Sequence, residues 1–560
     1  MEMITRKNVA ALMRKTLDRQ NAQARMKLSF KKGQIEQVLV NYTRNSNVGP
    51  YHDLVKVLEE FPINDDNYQV LLEDCLASVV LLGRELKHFV DVLCNVEWAG
   101  RGEKFVEMYS RFVLNLVTAH TYHCPRVMTN LVKLFKVDGT NWDDQPPEEL
   151  MAKWSNIHTI IAQIVAVMPM TTDLLMQTII DQFPYYKAGC FSNRAYVHNL
   201  IWMGKYLPLL KEQLVMAIIN RMVTMDVNIE DQAKNKAQID TMFEMDAEEQ
   251  DTVSETLDYC MIEVLKWLED EREPALVIMC NVFERVILPT HGIRHVQFLI
   301  LYTISISQQC ADRIFSNLWM IAAGLHGSGP GALATRRTAT SHLAGLLARC
   351  VRISNSRLIH YLKSMAEWCH SYITATQEST TVSDNTKVHG VFHSICHAIF
   401  YLVAFKNHQL FVSKESVNFV ESLNLPRLVT CALNPLRTSP PQVTRAFASV
   451  TRAHQLVYCQ AIIERNTRHS LHHHNDHVYD EWFPFDPYTL PKSGQIIWPL
   501  CIEYKDWAKD CDDETQYSSL KKKLVAEDDD YLVASPNQKL ASSLSNYILP
   551  GFKTSESIMM

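Results

Sequence analysis

Glycine is scarce in this chain, 17 of 560 residues, against an average usage of roughly 7 %. Because glycine supplies the φ > 0 turns at no steric cost, its shortage excludes a fold of many tight hairpins and favours long helices. Long apolar runs are also missing. The longest, around Ile395 to Phe405, falls well short of the roughly 18 residues a membrane span needs, and no apolar signal-like run follows the N-terminus. A soluble intracellular chain with no membrane partner is expected. The 14 cysteines include no C-x-x-C pair and stand singly on apolar helix faces, as Cys75, Cys280 and Cys459 do. They read as reduced core residues, not as disulfides or zinc ligands. A net charge of -7 removes any global attraction to nucleic acid, so such contact requires a local patch.

Catalytic signatures are absent too. There is no G-x-S-x-G elbow, no H-E-x-x-H and no H-x-E with P-C-x-x-C. Gly324 to Gly331 offers G-x-x-x-x-G, but Pro330 and Gly331 stand where a phosphate loop needs Lys and Ser/Thr. We therefore expect no enzyme, no cofactor and no metal site.

What is present is helical periodicity. Tyr68, Leu71, Leu72, Cys75, Leu76, Val79, Leu82, Leu86, Phe89, Val90 and Leu93 fall on one helical stripe. The pattern returns over 105–117, 154–167 and 195–206 with hardly any alternation of the β kind. Helix-initiating prolines recur at Pro125, Pro169 and Pro208, spaced 44 and 39 residues apart, and Pro289 follows 81 residues later, about two periods. A helix-pair repeat of about 40 to 47 residues is the HEAT/armadillo class. The expected fold is all-α, a HEAT-like α-solenoid with an inserted acidic loop, and such stacked pairs offer extended surfaces for binding instead of a central pocket.

Composition divides the chain further. Residues 1–50 form a basic, largely flexible segment. It begins with nine basic residues (Arg6, Lys7, Arg14, Lys15, Arg19, Arg25, Lys27, Lys31, Lys32) against Glu2 and Asp18, a pattern that fits a solvated tail and a nuclear-targeting or polyanion-binding role equally. Repeats fill 51–226, an acidic mobile loop 227–256, and further repeats 257–468. Polar loops are expected at 326–331 and 374–386. A His-rich loop and an extended docked segment around Trp482-Phe483-Pro484-Phe485-Asp486-Pro487 occupy 469–532, and 533–560 is a flexible tail.

His389, His393 and His397 recur one turn apart, as do His291 and His295, a spacing that can chelate zinc. No zincin glutamate lies between them, and Phe392, Ile395, Ile399 and Phe400 make the first set core-facing, so packing is expected. The loop cluster His469, His472, His473, His474 and His477 reads as a polar linker. Arg336 and Arg337 sit near the N-terminal end of a helix closing on Leu347-Ala348-Arg349. Cations there oppose the helix dipole, which points to a partner or phosphate contact.

Several segments, in order, resemble one family. They are Leu288-Pro289-Thr290-His291 with His295-Val296-Gln297-Phe298; His389-Gly390-x-Phe392 before Ala398-Ile399-Phe400-Tyr401 and Phe405; Ser422-Leu423-Asn424 and Leu433-Asn434-Pro435-Leu436; Gln455-Leu456-Val457-Tyr458-Cys459 with Ile462-Ile463-Glu464-Arg465-Asn466; Phe483-Pro484-Phe485-Asp486-Pro487; and Glu527-Asp528-Asp529-Asp530. Phe183-Pro184 and Tyr196-Val197-His198-Asn199-Leu200 fit as well. The chain resembles, over most of residues 25 to 532, the RNA polymerase I-specific transcription initiation factors. The resemblance implies a HEAT-repeat protein without enzymatic activity, working in the nucleus and nucleolus. It implies binding to RNA polymerase I near its stalk and delivery of the enzyme to the promoter-bound complex containing TATA-binding protein. Leu347, Ala348 and Arg349 match the family's promoter-complex stretch, Arg336 and Arg337 a proposed contact to promoter DNA, and Ser192 the neighbourhood of regulatory phosphorylation. The acidic loop is shorter than in some relatives, and their long Ser/Pro-rich tail is lacking. The alternative is a generic HEAT-repeat scaffold in transport or signalling.

Overall fold

The structure, a computed structural model, describes residues 32–60, 64–137, 139, 142–238, 245–325, 332–377, 388–470, 484–485 and 487–503, without the side chains of 230–252, 469 and 470. The chain divides into two compact units, Met1–Ile218 and Ile219–Met560. Among the described residues the secondary structure is helical, with a single isolated β-bridge.

In the first unit the helices are α1 (Gln34–Thr43), α2 (Gly49–Glu60), α3 (Asp65–Ala77), α4 (Lys87–Cys94), α5 (Glu103–Ala119), α6 (Cys124–Lys133), α7 (Glu148–Val167), α8 (Thr172–Asp181) and α9 (Cys190–Tyr206), and α10 (Lys211–Gln238) begins there. They pack in two rows. One runs α1, α3, α5, α7, α9 and the other α2, α4, α6, α8, each helix lying against the next of its row. This is the stacked-pair arrangement the proline spacing predicts. Pro125 lies in the first turn of α6, and Pro169 opens the 3₁₀ turn Pro169–Thr171 before α8. The period is also visible in polar contacts. A His120 ring nitrogen lies 2.8 Å from Val79 O, one of His123 lies 2.9 Å from Leu82 O, and one of His158 lies 3.0 Å from Asn199 Oδ1, every pair 41 residues apart.

Helix α1 occupies the end of the segment expected to be flexible. Its Ile35 and Leu39 are buried, and the buried Asp74 carboxylate of α3 accepts from Gly33 N–H at 2.9 Å and Ile35 N–H at 3.3 Å. Those bonds satisfy donors that a helix N-terminus leaves orphaned. Arg194 of α9 is fully buried. Its guanidinium stacks 4.2 Å from the Trp142 ring centre and donates to the Trp142 and Asp143 carbonyls, pinning the α6–α7 connection.

The second unit holds the rest of α10, then α11 (Met245–Glu271), α12 (Glu273–Val282), α13 (Phe298–Ile306), α14 (Gln308–Ala323), α15 (Ala332–Arg349), α16 (Asn355–Gln377) and α17 (Gly390–Phe405). It continues with α18 (Asn407–Leu410), α19 (Lys414–Ser422), α20 (Leu425–Thr430), α21 (Pro435–Thr438), α22 (Pro441–Ala453), α23 (Gln460–Ser470) and α24 (Pro491–Ile497). Helix α17 is its core, every residue buried, with α15, α16 and α22 packed around it. No single helix among the described residues is long and apolar enough to cross a membrane.

Two polar stretches expected as loops are more helical than their composition suggests. Between 227 and 256, α10 runs on to Gln238 and α11 begins at Met245, leaving only 239–244 outside the described residues. Ala233, Lys234, Ala237, Gln238, Ala247, Glu248 and Glu249 are strong helix formers with no glycine or proline among them, so polarity alone does not break the helix. Likewise α16 extends to Gln377, past the expected start at Thr374. The loop cluster from His472 to His477, the basic residues from Arg6 to Lys31 and the tail 533–560 lie outside the described residues.

Candidate partner-binding helix and its strap

Helix α15 carries five of the six site residues the sequence singles out. Its second turn presents Arg336 and Arg337, both half-buried. Arg336 Nε–H donates to Ala322 O at 2.9 Å, at the end of α14, and its guanidinium approaches the Trp368 ring at 5.8 Å. A cation on the last carbonyls of a helix meets the negative end of the dipole. The charge that is unfavourable for its own helix thus complements a neighbouring one. Gly324, at φ 84°, closes α14 in the left-handed conformation, and a Cβ there would meet the Arg336 guanidinium at 2.8 Å.

From Ala339 to Arg349 α15 is buried throughout. Leu347 and Ala348 are wholly enclosed, and Arg349 keeps 9 % of its surface exposed. The Arg349 guanidinium lies 5.1 Å from the Phe405 ring centre and donates through Nη1 to Ile502 O at 3.1 Å. Residues 487–503 form a strap over this end of the helix. Val351 N–H donates to Leu500 O at 3.0 Å and Ile502 N–H to Arg349 O at 2.7 Å, making the antiparallel bridge Cys350–Cys501.

The strap has two further anchors. Asp258 of α11 accepts from Lys492 N–H and Ser493 N–H, both at 2.8 Å, and from the Ser493 hydroxyl, so it caps α24 from another element. Asp226 is 1 % exposed and accepts the backbone N–H groups of Arg294 at 3.1 Å, His295 at 2.7 Å and Val296 at 2.9 Å. His295 Nδ1 stands 2.8 Å from Asp226 Oδ1, and its Nε2 2.8 Å from Thr489 Oγ1 on the strap. Upstream of the strap, Phe485 is buried edge-on against Phe298 and His342, over Gly345. The docked segment expected from the Trp482 to Pro487 motif therefore continues into a short helix; Trp482, Phe483 and Asp486 lie outside the described residues.

The histidine face of α17 is engaged in packing. His389 Nδ1 lies 2.9 Å from Tyr372 Oη, whereas His393 Nδ1 and His397 Nε2 share Thr438 Oγ1 of α21 at 2.9 and 3.1 Å. Burial, reinforced by the neighbouring imidazole, lowers the pKa of His393 to about 4 and that of His397 to about 3. Among the described residues no group of three His, Cys, Asp or Glu side chains is disposed to hold a metal ion. Ser192 belongs to the first unit, half-buried in the first turn of α9.

Sequence reasoning missed the strap anchors Asp226, Asp258, Thr489, Ser493 and Cys501. Asp258 and Ser493 are 235 residues apart, and no local pattern announces a cap supplied from that distance.

The family model described as "RNA polymerase I specific transcription initiation factor RRN3" matches residues 24–273 and 230–509. The RNA polymerase I-specific transcription initiation factor RRN3 of Mus musculus is 28 % identical over 566 aligned residues, covering 89 % of this chain and 85 % of its own. Its namesake from Schizosaccharomyces pombe is 24 % identical, covering 78 % and 79 %, and the Caenorhabditis elegans factor tif-1A 22 % identical, covering 79 % and 77 %. A crystal structure of RNA polymerase I transcription initiation factor Rrn3 superimposes with a TM-score of 0.68 at 17 % identity, over 84 % of this chain and 97 % of that one. That likeness bears on the fold, a helical repeat.

Proposed function

Since the chain belongs to the family of RNA polymerase I-specific transcription initiation factors, we propose that it binds RNA polymerase I and brings it to the promoter-bound complex of the ribosomal RNA genes. The observation that carries this reading is the extent of the family match, which runs across both units and not over a single repeat. A generic scaffold would share the repeat period alone.

In the finer reading the polymerase contact lies near the enzyme's stalk, the promoter complex contains TATA-binding protein, and the chain acts in the nucleus and nucleolus without a catalytic step or cofactor. Arg336 and Arg337 contribute positive charge toward promoter DNA. Leu347 and Ala348, being enclosed, act by holding the end of α15, and Arg349 by carrying the strap that would meet the promoter complex. Phosphorylation of Ser192 would place negative charge in the first turn of α9, where the helix dipole favours it, and would release the polymerase through repulsion at the shared surface. The domain assignment, with a basic N-terminal segment, two repeat blocks around an acidic insert, and a C-terminal docked segment and tail, is part of this proposal.

Depletion of the protein, followed by measurement of precursor ribosomal RNA synthesis and of polymerase I occupancy at its promoter, tests the reading. Loss of both is expected. Unchanged precursor synthesis would overturn it.

A further inference from the structure

The two flanking hydrogen bonds of the bridge run between Val351 and Leu500 and between Ile502 and Arg349. Cys350 and Cys501 are therefore the non-hydrogen-bonded pair of the antiparallel ladder. In such a pair the opposed Cα atoms stand about 4.5 Å apart and the side chains leave the same face. A disulfide takes Cα separations of about 4.4–6.8 Å, so the backbone already meets the requirement. Cys350 is fully buried and Cys501 is partly exposed, so a solvent-borne reagent reaches Cys501 first, with Cys350 opposite it in the bridge. Cys369 and Cys396 offer a contrast: their sulfurs lie 3.8 Å apart, but both residues are fully enclosed between α16 and α17.

We propose that Cys350 and Cys501 are a modification site, a thiol pair that closes to a disulfide by exchange with a low-molecular-weight disulfide and so fixes the strap to the end of α15. Cys501 loses its proton and its thiolate attacks one sulfur of the reagent RS–SR, forming a mixed disulfide and releasing RS⁻. Cys350, deprotonated in turn, attacks the Cys501 sulfur, the protein S–S bond forms and the second RS⁻ leaves. The protein gives up two protons and two electrons; the reagent takes them and departs as two RSH. Burial holds both thiols above their ordinary pKa, Cys501 at about 12, while Arg349 beside Cys501, and Lys406, Arg352 and Arg357 around Cys350, favour the thiolates. The exchange is accordingly expected to be slow at neutral pH and faster as pH rises.

The test uses the full-length chain, incubated with oxidised glutathione at pH 8, blocked with iodoacetamide, digested without reductant and analysed by mass spectrometry. A linked peptide pair containing Cys350 and Cys501 is expected, two hydrogens lighter than the sum of the reduced peptides and separated by dithiothreitol. Cys350→Ser should arrest the reaction at the glutathione adduct of Cys501, and Cys501→Ser should leave Cys350 reduced, with thermal melting of the reduced variants close to that of the parent chain. Accumulation of the Cys501 adduct in the parent chain without closure would overturn the proposal, as would linkage of Cys350 to another cysteine.

Discussion

His393 and His397 owe their depressed pKa values to enclosure in α17, and that fixes how acid acts on the fold. An unfolded imidazole titrates at 6.5, the folded pair at about 4 and about 3. Between those limits the unfolded chain binds more protons, so the stability these residues allow is complete above pH 6.5 and is lost as pH falls toward 4. Each contributes a loss of about 1.4 kcal/mol per pH unit within that window. Urea midpoints should fall steeply between pH 6.5 and 5, and His397→Gln should flatten the slope; equal midpoints at pH 7 and pH 5 would contradict the assignment. Apolar flanks made this packing role legible in the sequence. The partner was not, because Thr438 lies 41 residues from His397 and nothing local marks it. Arg336 and Arg337 were legible as charges in an unfavourable place, but the cap on α14 is a tertiary contact. Changing both to Ala should weaken binding to the promoter complex while polymerase binding persists, checked by pull-down with each partner. Equal loss of both, with a lowered melting temperature, would point to the cap instead.

At the scale of elements, apolar spacing and the prolines Pro125 and Pro169 are local signals that marked repeat helices. The one stripe read over 68–93, however, is broken after Ala77 into α3 and α4, and Pro289 follows the π-helical turn Phe283–Ile287 rather than opening a helix. The strap is held instead by groups hundreds of residues away, and its docking had only the Trp482 to Pro487 motif to suggest it. Asp258→Ala leaves the enclosed N–H of Ser493 and its neighbour Lys492 without their acceptor, at a cost of about 1–3 kcal/mol per orphaned buried group. Limited proteolysis should then cut within 487–503 while α17 and its neighbours stay protected. Uniform protection would show that Asp258 is not the anchor. Gly345→Ala tests the other end: a Cβ there would meet the Phe485 ring at 2.7 Å, and such overpacking typically costs about 1–3 kcal/mol. Earlier cleavage near Phe485 is expected, measured in the same assay. The acidic stretch misled in the opposite sense, because a polar composition without glycine or proline continues a helix as readily as it forms a loop.

For the whole molecule, fold class and family were legible because each is written many times over, the fold in every helix pair and the family in motifs spread along the chain. Partner surfaces are not repeated in that way. Leu347 and Ala348 look like contact residues in the sequence and prove to be enclosed, with Arg349 turned to the strap. Service to RNA polymerase I belongs to the whole chain, since the family match runs across both units. Promoter-specific transcription by purified polymerase I, on a ribosomal RNA gene template with the promoter-bound complex supplied, measures this most directly. Addition of the purified chain should restore initiation from that template and leave a polymerase II promoter unaffected. Initiation by polymerase I that is indifferent to the chain, or a response confined to polymerase II, would contradict the claim.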